Sequence, residues 1–306
     1  MAEIIFSTLE VGLINALVAL ALYVSYTILN IADLSTDGCY TLGCAVGITV
    51  TLAGHPVLAL FLAMLSGVAS GFITAFLQTR LKIQSILAGI IVNTALYTVN
   101  LAIMGFSSNL SVFGKETLFS LAQNIIGENA RVKLLVILFV AVLAAVVLVW
   151  FLGTRLGLSV RATGDSPDMV RASSINPAFT ITVGLCVSGA LCALAGCLIG
   201  QYNKFCDINL GVGMVTIALA SLLIGQAIFG KGGIVKGVLG AIFGSIIYRT
   251  IISLALLVNI STEYFKLVSA VIVAVSIAAP RVKEAISVEK AKKAARLARK
   301  EGGADA

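Results

Sequence analysis

The sequence predicts an all-α integral membrane protein, a polytopic bundle of about eight to ten transmembrane helices. Of its 306 residues 59% are hydrophobic and 11% charged, and the mean hydropathy is +1.06, values far from those of soluble proteins. The apolar residues fall in long runs, several of which reach the ~20 residues that ~30 Å of hydrocarbon requires. A soluble globular protein is therefore excluded as an interpretation.

Nine apolar segments are predicted to span the bilayer, with ends uncertain by several residues. The second and seventh are short and rich in glycine, which is typical of broken or partial helices. The first lacks both a basic flank before it and an Ala-x-Ala site after it, so it is predicted to be a retained helix. The segments are 8–30, 38–53, 56–78, 84–104, 133–152, 178–201, 212–230, 234–258 and 264–280.

The distribution of lysine and arginine predicts the orientation of these spans. Eight of the 21 basic residues lie between Arg281 and Lys300, in a tail that we expect to contact anionic lipid on the cytoplasmic side rather than nucleic acid. With nine spans, this places the N-terminus outside and the C-terminus in the cytoplasm of a plasma membrane protein. We therefore divide the chain into a transmembrane domain, 1–280, and a basic cytoplasmic tail, 281–306.

Two segments between spans are long enough to be structured. The segment 105–131 lies on the predicted outer side, where a soluble partner could dock. The segment 153–177 lies on the predicted inner side, and its GDSP and NP turn signals indicate a short helix from Pro167 to Ser173, capped by Ser166 or Asp165.

The chain also contains an internal echo. Asp33-Leu34-Ser35 and Asp207-Ile208-Asn209 each precede a glycine-rich short span and a glycine-spaced helix. The predicted topology puts the first echo on the inner face and the second on the outer face. This pattern indicates either an inverted repeat, as transporters often contain, or a chance similarity of glycine-rich segments.

No catalytic constellation is found in the sequence, so the chain is not predicted to be an enzyme. It has no Walker motif and no paired carboxylates on one transmembrane face. Its six cysteines and single histidine form no metal-ligand pattern, so neither metal nor cofactor is predicted. The carboxylates are placed almost entirely in loops and the tail, which favours a transport pathway powered by another subunit.

Polar side chains within the predicted spans are the candidates for a solute pathway, because an unpaired polar group in hydrocarbon must find a partner or water. Three of them are spaced by four and three residues and therefore share one helix face. The alternatives are hydrogen bonds between helices and, for Arg249, snorkelling to the interface. The candidates are Asn15, Asn93, Tyr97, Asn100, Gln226 and Arg249.

Four stretches of the chain carry a resemblance to a known family. They are GLINALVALALYVSYTILNIADLSTDGCYTLG from Gly12, RATGDSPDMVRASSIN from Arg161, SGALCALAGCLIGQ from Ser188 and GVGMVTIALASLLIGQAIFG from Gly211. Together they resemble the permeases of the branched-chain amino acid and ribose type ABC importer family. The subgroup most similar to the chain includes importers assigned to aromatic amino acids.

The resemblance implies a type II importer arrangement with a second permease copy, most simply as a homodimer, two ABC ATPase subunits and an extracytoplasmic substrate-binding protein. It also implies that the helix after RATGD couples the permease to the ATPase. Vitamin B12 type relatives have ten helices rather than nine, which leaves the N-terminal topology open. The coupling candidates carried over are Arg161, Thr163, Gly164, Asp165, Asp168, Met169 and Arg171.

The sequence thus predicts the permease subunit of an ABC importer for a small polar solute, with an amino acid favoured. A stand-alone secondary carrier or facilitator is the alternative, and a membrane enzyme is a third reading without a supporting motif. The lack of membrane-buried carboxylates argues against the carrier.

Overall fold

A computed structural model describes residues 2–127, 131–230 and 232–257, with four isolated positions beyond them, 270, 271, 274 and 278. The described chain is almost entirely helical, with two short strands. Its elements are α1 (Ala2–Leu22), a π-helical continuation of α1 (Tyr23–Ile28, the π-segment), α2 (Thr36–Leu52), α3 (Pro56–Thr79), α4 (Ser85–Ile103), β1 (Asn109–Ser111), α5 (Leu118–Ile126), α6 (Arg131–Gly153), α7 (Arg155–Asp165), α8 (Pro167–Ala172), α9 (Pro177–Asn203), β2 (Phe205–Asp207), α10 (Met214–Phe229) and α11 (Ile234–Leu257).

The predicted class, a polytopic helical membrane protein, is confirmed. Six helices of the described chain are long and apolar enough to cross a membrane. Eight predicted segments correspond to α1 with the π-segment, α2, α3, α4, α6, α9, α10 and α11. The two segments predicted to be short are the shortest of these, with 17 residues in α2 and 16 in α10. The ninth segment, 264–280, lies almost wholly outside the described residues, as does the tail, 281–306.

Helix α9 forms the centre of the bundle and α6 its periphery. In the membrane-length windows of these helices, 83% of α9 is buried inside the protein but only 17% of α6. On α6, Trp150 leaves 72% of its surface exposed. Large apolar side chains are stable on a surface that faces lipid. Helix α6 therefore faces the bilayer, while the other helices pack around α9.

Glycines allow close helix crossings in the bundle. A Cβ atom on Gly67 of α3 would overlap the carbonyl of Gly189 of α9, and one on Gly189 would overlap that of Gly67. A Cβ on Gly244 of α11 would overlap the carbonyl of Ser221 of α10. The glycines of these helices therefore serve backbone-to-backbone packing.

The two short helices begin side by side. The Asp37 carboxylate in the first turn of α2 accepts hydrogen bonds from the backbone N–H groups of Gly213, at 3.0 Å, and Val215, at 2.8 Å, where α10 begins. The N–H of Gly211 donates to Thr41 Oγ1 at 3.1 Å. The starts of the two helices thus lie side by side within the bundle, and the prediction that the two Asp echoes face opposite sides of the membrane stays a prediction.

From this meeting point α2 and α10 run in opposite directions. Cys192, near the middle of α9, donates its thiol to the carbonyl of Thr36 at 3.3 Å, so α2 begins beside the middle of that helix. Further on, Ile48 contacts the position of Gly200 near the end of α9. Helix α10 instead ends beside the π-segment, where Gln226 bonds Thr27.

The same local turn precedes both short helices. Asp33 Oδ1 accepts a hydrogen bond from the Ser35 N–H at 2.9 Å, and Asp207 Oδ1 accepts one from the Asn209 N–H at 2.8 Å. Aspartate side chains commonly organise turns in this way. Matching turns followed by oppositely directed helices favour the inverted repeat over chance similarity.

Residues 105–127 pack onto the C-terminal end of α9. Strands β1 and β2 form an antiparallel pair in which Leu110 lies opposite Cys206. Helix α5 follows, and its Phe119 ring meets the Tyr202 ring edge-on at 6.0 Å. These residues therefore cover one end of the bundle.

Candidate functional site

A polar cavity lies between α2, α4 and the loop that joins β2 to α10, and we call it the acidic cavity. Its volume is about 340 Å³, within the range of small-molecule sites. It brings together the three side chains that the sequence placed on one face of α4. The polar side chains of its wall belong to Asp37, Thr41, Asn93, Thr94, Tyr97, Asn100 and Asn209.

Asn93, Tyr97 and Asn100 form a polar stripe along α4, which we call the α4 stripe. It is buried at the Asn100 end and exposed at Tyr97. Asn100 is 1% exposed, and its Nδ2 donates to the carbonyl of Gly38 at 3.1 Å. Its Oδ1 is buried and has no hydrogen-bond partner among the described residues. Tyr97 leaves 51% of its surface exposed. The stripe thus runs from the protein interior to the surface of the subunit.

Asp37 is the wall residue that sequence reasoning missed. Both oxygens of its carboxylate accept backbone N–H groups of α10, and it has no ion-pair partner in the described part of the chain, where the recorded ion pair joins Arg171 and Asp168. Asp37 lies two residues after Ser35 in the run DLSTDG, a position typical of the first turn of a helix. That signal could have placed the carboxylate inside the bundle.

A second cavity, the arginine cavity, lies at the other end of α10. Its volume is about 360 Å³, and Tyr23, Arg161 and Gln226 are among its lining residues. Gln226 Nε2 donates to Thr27 Oγ1 at 2.9 Å. One predicted coupling residue and one predicted pathway residue therefore share a cavity. On α10, Met214 at the helix start and Gln226 are separated by about 18 Å at 1.5 Å per residue.

Two other coupling candidates are packing residues that hold α7 in place. Thr163 is 4% exposed, and its Oγ1 lies 2.7 Å from Thr180 Oγ1 of α9. A Cβ on Gly164 would overlap the carbonyl of Ile28 in the π-segment. Helix α7 is thus in direct backbone contact with the π-segment and bonded to α9.

The remaining coupling candidates are exposed around α8. The prediction of a short helix here is confirmed, and its cap is Ser166, whose Oγ accepts the Met169 N–H at 3.4 Å. Arg171 Nη1 lies 3.3 Å from Asp168 Oδ1. Met169 leaves 71% of its surface exposed, and Asp165, Asp168 and Arg171 are exposed as well. Helix α8 therefore presents a methionine framed by charges.

Two predicted pathway residues line neither of these cavities. Asn15 is buried within α1, at 7% exposure. Arg249 of α11 has a buried Nε without a hydrogen-bond partner among the described residues, and its Cβ would lie 3.5 Å from a Cβ on Gly12 of α1. This position favours a role in bridging helices over snorkelling.

Glu10 is an exception to the prediction that the carboxylates lie almost entirely in loops and the tail. It lies in α1 at 5% exposure and accepts a hydrogen bond from the Tyr202 hydroxyl at 2.9 Å. Asp37 likewise lies within a helix of the bundle. The sequence argument against a secondary carrier, which depended on the lack of such groups, therefore no longer holds.

The chain is similar in sequence to several known transport proteins. It is 34% identical over 270 residues to the tyrosine transport system permease protein of Clostridioides difficile, covering 88% of each chain. It is 33% identical over 279 residues to an uncharacterized protein of Rickettsia prowazekii, covering 90% of this chain and 97% of that one. It is 24% identical over 285 residues to the ribose import permease protein RbsC of Escherichia coli K12, covering 89% and 84%.

No solved structure matches the chain. Residues 4–277 match the family described as the branched-chain amino acid transport system permease component. This match covers nearly all of the chain and includes the helices that form both cavities and α8. The chain therefore belongs to the family of branched-chain amino acid transport system permease components, and it is a permease subunit of an ABC importer.

Proposed function

We propose that this permease forms the translocation pathway for an amino acid, which an extracytoplasmic binding protein delivers and two ABC ATPase subunits drive across the plasma membrane. The observation that carries this proposal is that α8 is exposed while α7, the helix directly before it, is packed against α9 and the π-segment. Met169 offers an apolar side chain at 71% exposure. Exposed apolar groups framed by charges are suited to a protein partner.

The contacts of α7 make α8 suitable for transmitting force to the transmembrane helices. Helix α7 precedes α8 directly and is bonded to α9 through Thr163 and Thr180. Gly164 joins it closely to the π-segment, which continues α1. A displacement of α8 by a docked ATPase would therefore reach two transmembrane helices without passing through a flexible loop.

The orientation belongs to the same proposal. If α8 faces the ATPase, it lies in the cytoplasm, and α9 then leads outward to the segment 105–131 and β2, where the binding protein would dock. The basic residues near α8, such as Arg155 and Arg171, agree with the positive-inside rule. A cytoplasmic C-terminal tail at 281–306 follows from the predicted ninth span.

A second copy of the permease would complete the pathway. Thr94 and Tyr97 are exposed on the surface of α4 beside the acidic cavity. Polar groups are disfavoured against lipid and instead face protein or a water-filled space. A homodimer that covers this face would turn the open cavity into a route between two subunits.

The test is assembly with the ATPase subunits, measured by copurification and by stimulated ATP hydrolysis. We expect Met169→Asp to weaken assembly by about 30-fold, the effect of losing a central contact of about 2 kcal/mol. Phe113→Asp, a matched change at 73% exposure in the segment 105–131, should leave copurification unchanged. Full coupling in a permease whose 161–171 segment has been scrambled would exclude this site.

A stand-alone secondary carrier is the second candidate function. The observation that favours it is the presence of Glu10 and Asp37 within the bundle, since carboxylates at membrane depth often serve ion coupling. The purified chain, reconstituted alone, distinguishes the two. Uphill solute movement without nucleotide would favour the carrier, whereas the importer requires ATP and the ATPase subunits.

A further inference from the structure

We propose that the acidic cavity binds the protonated amino group of the transported solute, with the Asp37 carboxylate as its counter-charge and Asn100 Oδ1 as a hydrogen-bond acceptor. This inference rests on the proposed function and assigns the place in the permease where the amino group of its solute binds. It assigns a binding role to a residue that lies outside the predicted α4 stripe.

The charge balance of the cavity is the first argument. Asp37 is the carboxylate on the cavity wall, and no described lysine or arginine lines that wall. A carboxylate in a bundle without a cationic side chain beside it favours a cationic group of the solute as its partner.

The hydrogen bonds at the start of α10 disfavour an anionic group of the solute as the ligand of this cavity. The N-terminal end of a helix can bind an anion when its N–H groups are free. Here the backbone N–H groups of Gly213 and Val215 already donate to Asp37, and the Gly211 N–H donates to Thr41. A carboxylate of the solute would meet Asp37 instead of open donors.

The unmet hydrogen bond of Asn100 is an independent argument. Its side chain is 1% exposed and lines the cavity, and its Oδ1 has no partner in the described part of the chain. A buried acceptor without a donor is unfavourable and calls for a ligand or water. Asp37 retains further lone pairs after accepting one N–H on each oxygen. An ammonium group, with three donors, fits acceptors on both sides.

The close contact at Gly38 fixes the acceptors of the cavity wall relative to one another. A Cβ at this position would lie 2.7 Å from Asn93 Oδ1, so α2 and α4 approach closely beside Asp37. Asn93 thus adds another carbonyl oxygen to the wall. The polar wall of the cavity is thus rich in acceptors at one point and opens towards Tyr97.

The experiment uses the permease assembled with its ATPase subunits in lipid nanodiscs, without nucleotide or binding protein. Thr94→Cys provides a small thiol reporter on the exposed cavity wall. Cys186, the partly exposed native cysteine, is replaced by serine, and the other five are buried. The rate of reaction is measured with a cationic and an anionic methanethiosulfonate reagent.

Three probes of one shape distinguish the ligand class: tyrosine, tyramine, which lacks the carboxylate, and 3-(4-hydroxyphenyl)propanoate, which lacks the amino group. Tyrosine is chosen because a relative is named a tyrosine permease. We expect tyrosine and tyramine to slow the labelling at position 94 severalfold and the propanoate to have no effect. Equal protection by the propanoate, or protection by none of the three, would overturn the proposal.

A variant then tests Asp37 itself. We expect Asp37→Asn to lower the ratio of cationic to anionic labelling rates by about tenfold or more and to abolish protection by tyramine. Glu116→Gln, an exposed carboxylate of the segment 105–131, is the control and should change neither. An unchanged ratio in Asp37→Asn refutes the counter-charge. If Asp37→Asn does not fold, the three probes still decide in the unaltered cavity.

The labelling experiment can fail or succeed independently of the assembly experiment that tests the proposed function. Labelling needs neither ATP hydrolysis nor a binding protein, so amine-specific protection can be found even if Met169→Asp leaves assembly intact. Conversely, an importer whose cavity is protected equally by amine and acid keeps its proposed function and loses this inference.

Discussion

Gly164→Ala is the substitution that most directly tests how α8 is connected to the membrane helices. Gly164 lies in α7, and a methyl group here would overlap the carbonyl of Ile28 in the π-segment. Because that carbonyl is backbone, it cannot move aside like the end of a flexible side chain. The variant must therefore separate α7 from the π-segment while leaving the surface of α8 unchanged.

Two opposed effects determine the free-energy change that Gly164→Ala causes. Replacing glycine by alanine within a helix stabilises it by about 0.5–1 kcal/mol. Forcing an extra methyl into a packed contact is unfavourable by about 1–3 kcal/mol. If that overlap is relieved by separation of α7, the equilibrium between attached and separated states shifts by about 5- to 150-fold.

The assay is the ratio of solute uptake to ATP hydrolysis in proteoliposomes that contain the complete importer. Gly153→Ala is the matched control, because Gly153 ends α6 and a Cβ there would meet no atom within 4 Å. We expect Gly164→Ala to lower the ratio severalfold while ATPase subunits still copurify, and Gly153→Ala to behave as wild type. If Gly164→Ala transports as much solute per ATP as Gly153→Ala, α7 does not transmit force through the π-segment.

Three further predictions concern the bundle. Tyr202→Phe leaves the buried Glu10 carboxylate without its 2.9 Å donor, so we expect about 1–3 kcal/mol of destabilisation, read as a lower thermal midpoint in detergent; an unchanged midpoint would contradict the pairing. Gly189→Ala, which would overlap the Gly67 carbonyl, should lower the midpoint by a similar free energy, and no loss would show that α3 and α9 can separate freely. Gln226→Ala breaks only a partly exposed bond to Thr27, so stability should change by less than about 1 kcal/mol, and a larger loss would show a structural role.

Hydrophobic pattern determined how much of the fold could be predicted. Long apolar runs located eight helices and the shortness of α2 and α10, since length and hydropathy are properties of local sequence. The cap at Ser166 was equally local. The depth at which a helix begins is not local, because it depends on what the helix start contacts. Asp37 bonds the start of α10 across 176 positions of sequence, and no pattern within either segment reveals that contact.

Only those features of the candidate site that depend on local sequence could be predicted. Asn93, Tyr97 and Asn100 share a face at helical spacing, and the structure brings them to one cavity. Sequence could not separate Arg161 from the surface of α8, because adjacent residues in RATGD point in different directions once α7 forms. Glu10 was missed because a carboxylate in the first turns of an apolar helix resembles an interfacial residue until its partner, Tyr202, is known.

The structure also contains a continuous route from α8 to the acidic cavity. Helix α7 touches the π-segment at Gly164 and Ile28, and the π-segment bonds the end of α10 through Thr27 and Gln226. Helix α10 then runs about 18 Å to the N–H groups held by Asp37. A rigid helix moved at one end must move at the other, so displacement of α7 would alter the hydrogen bonds of Asp37. Physical continuity alone does not establish coupling. A change in thiol labelling at position 94 on ATP binding, present in Gly153→Ala but absent in Gly164→Ala, would establish it, and equal changes in both variants would exclude this route.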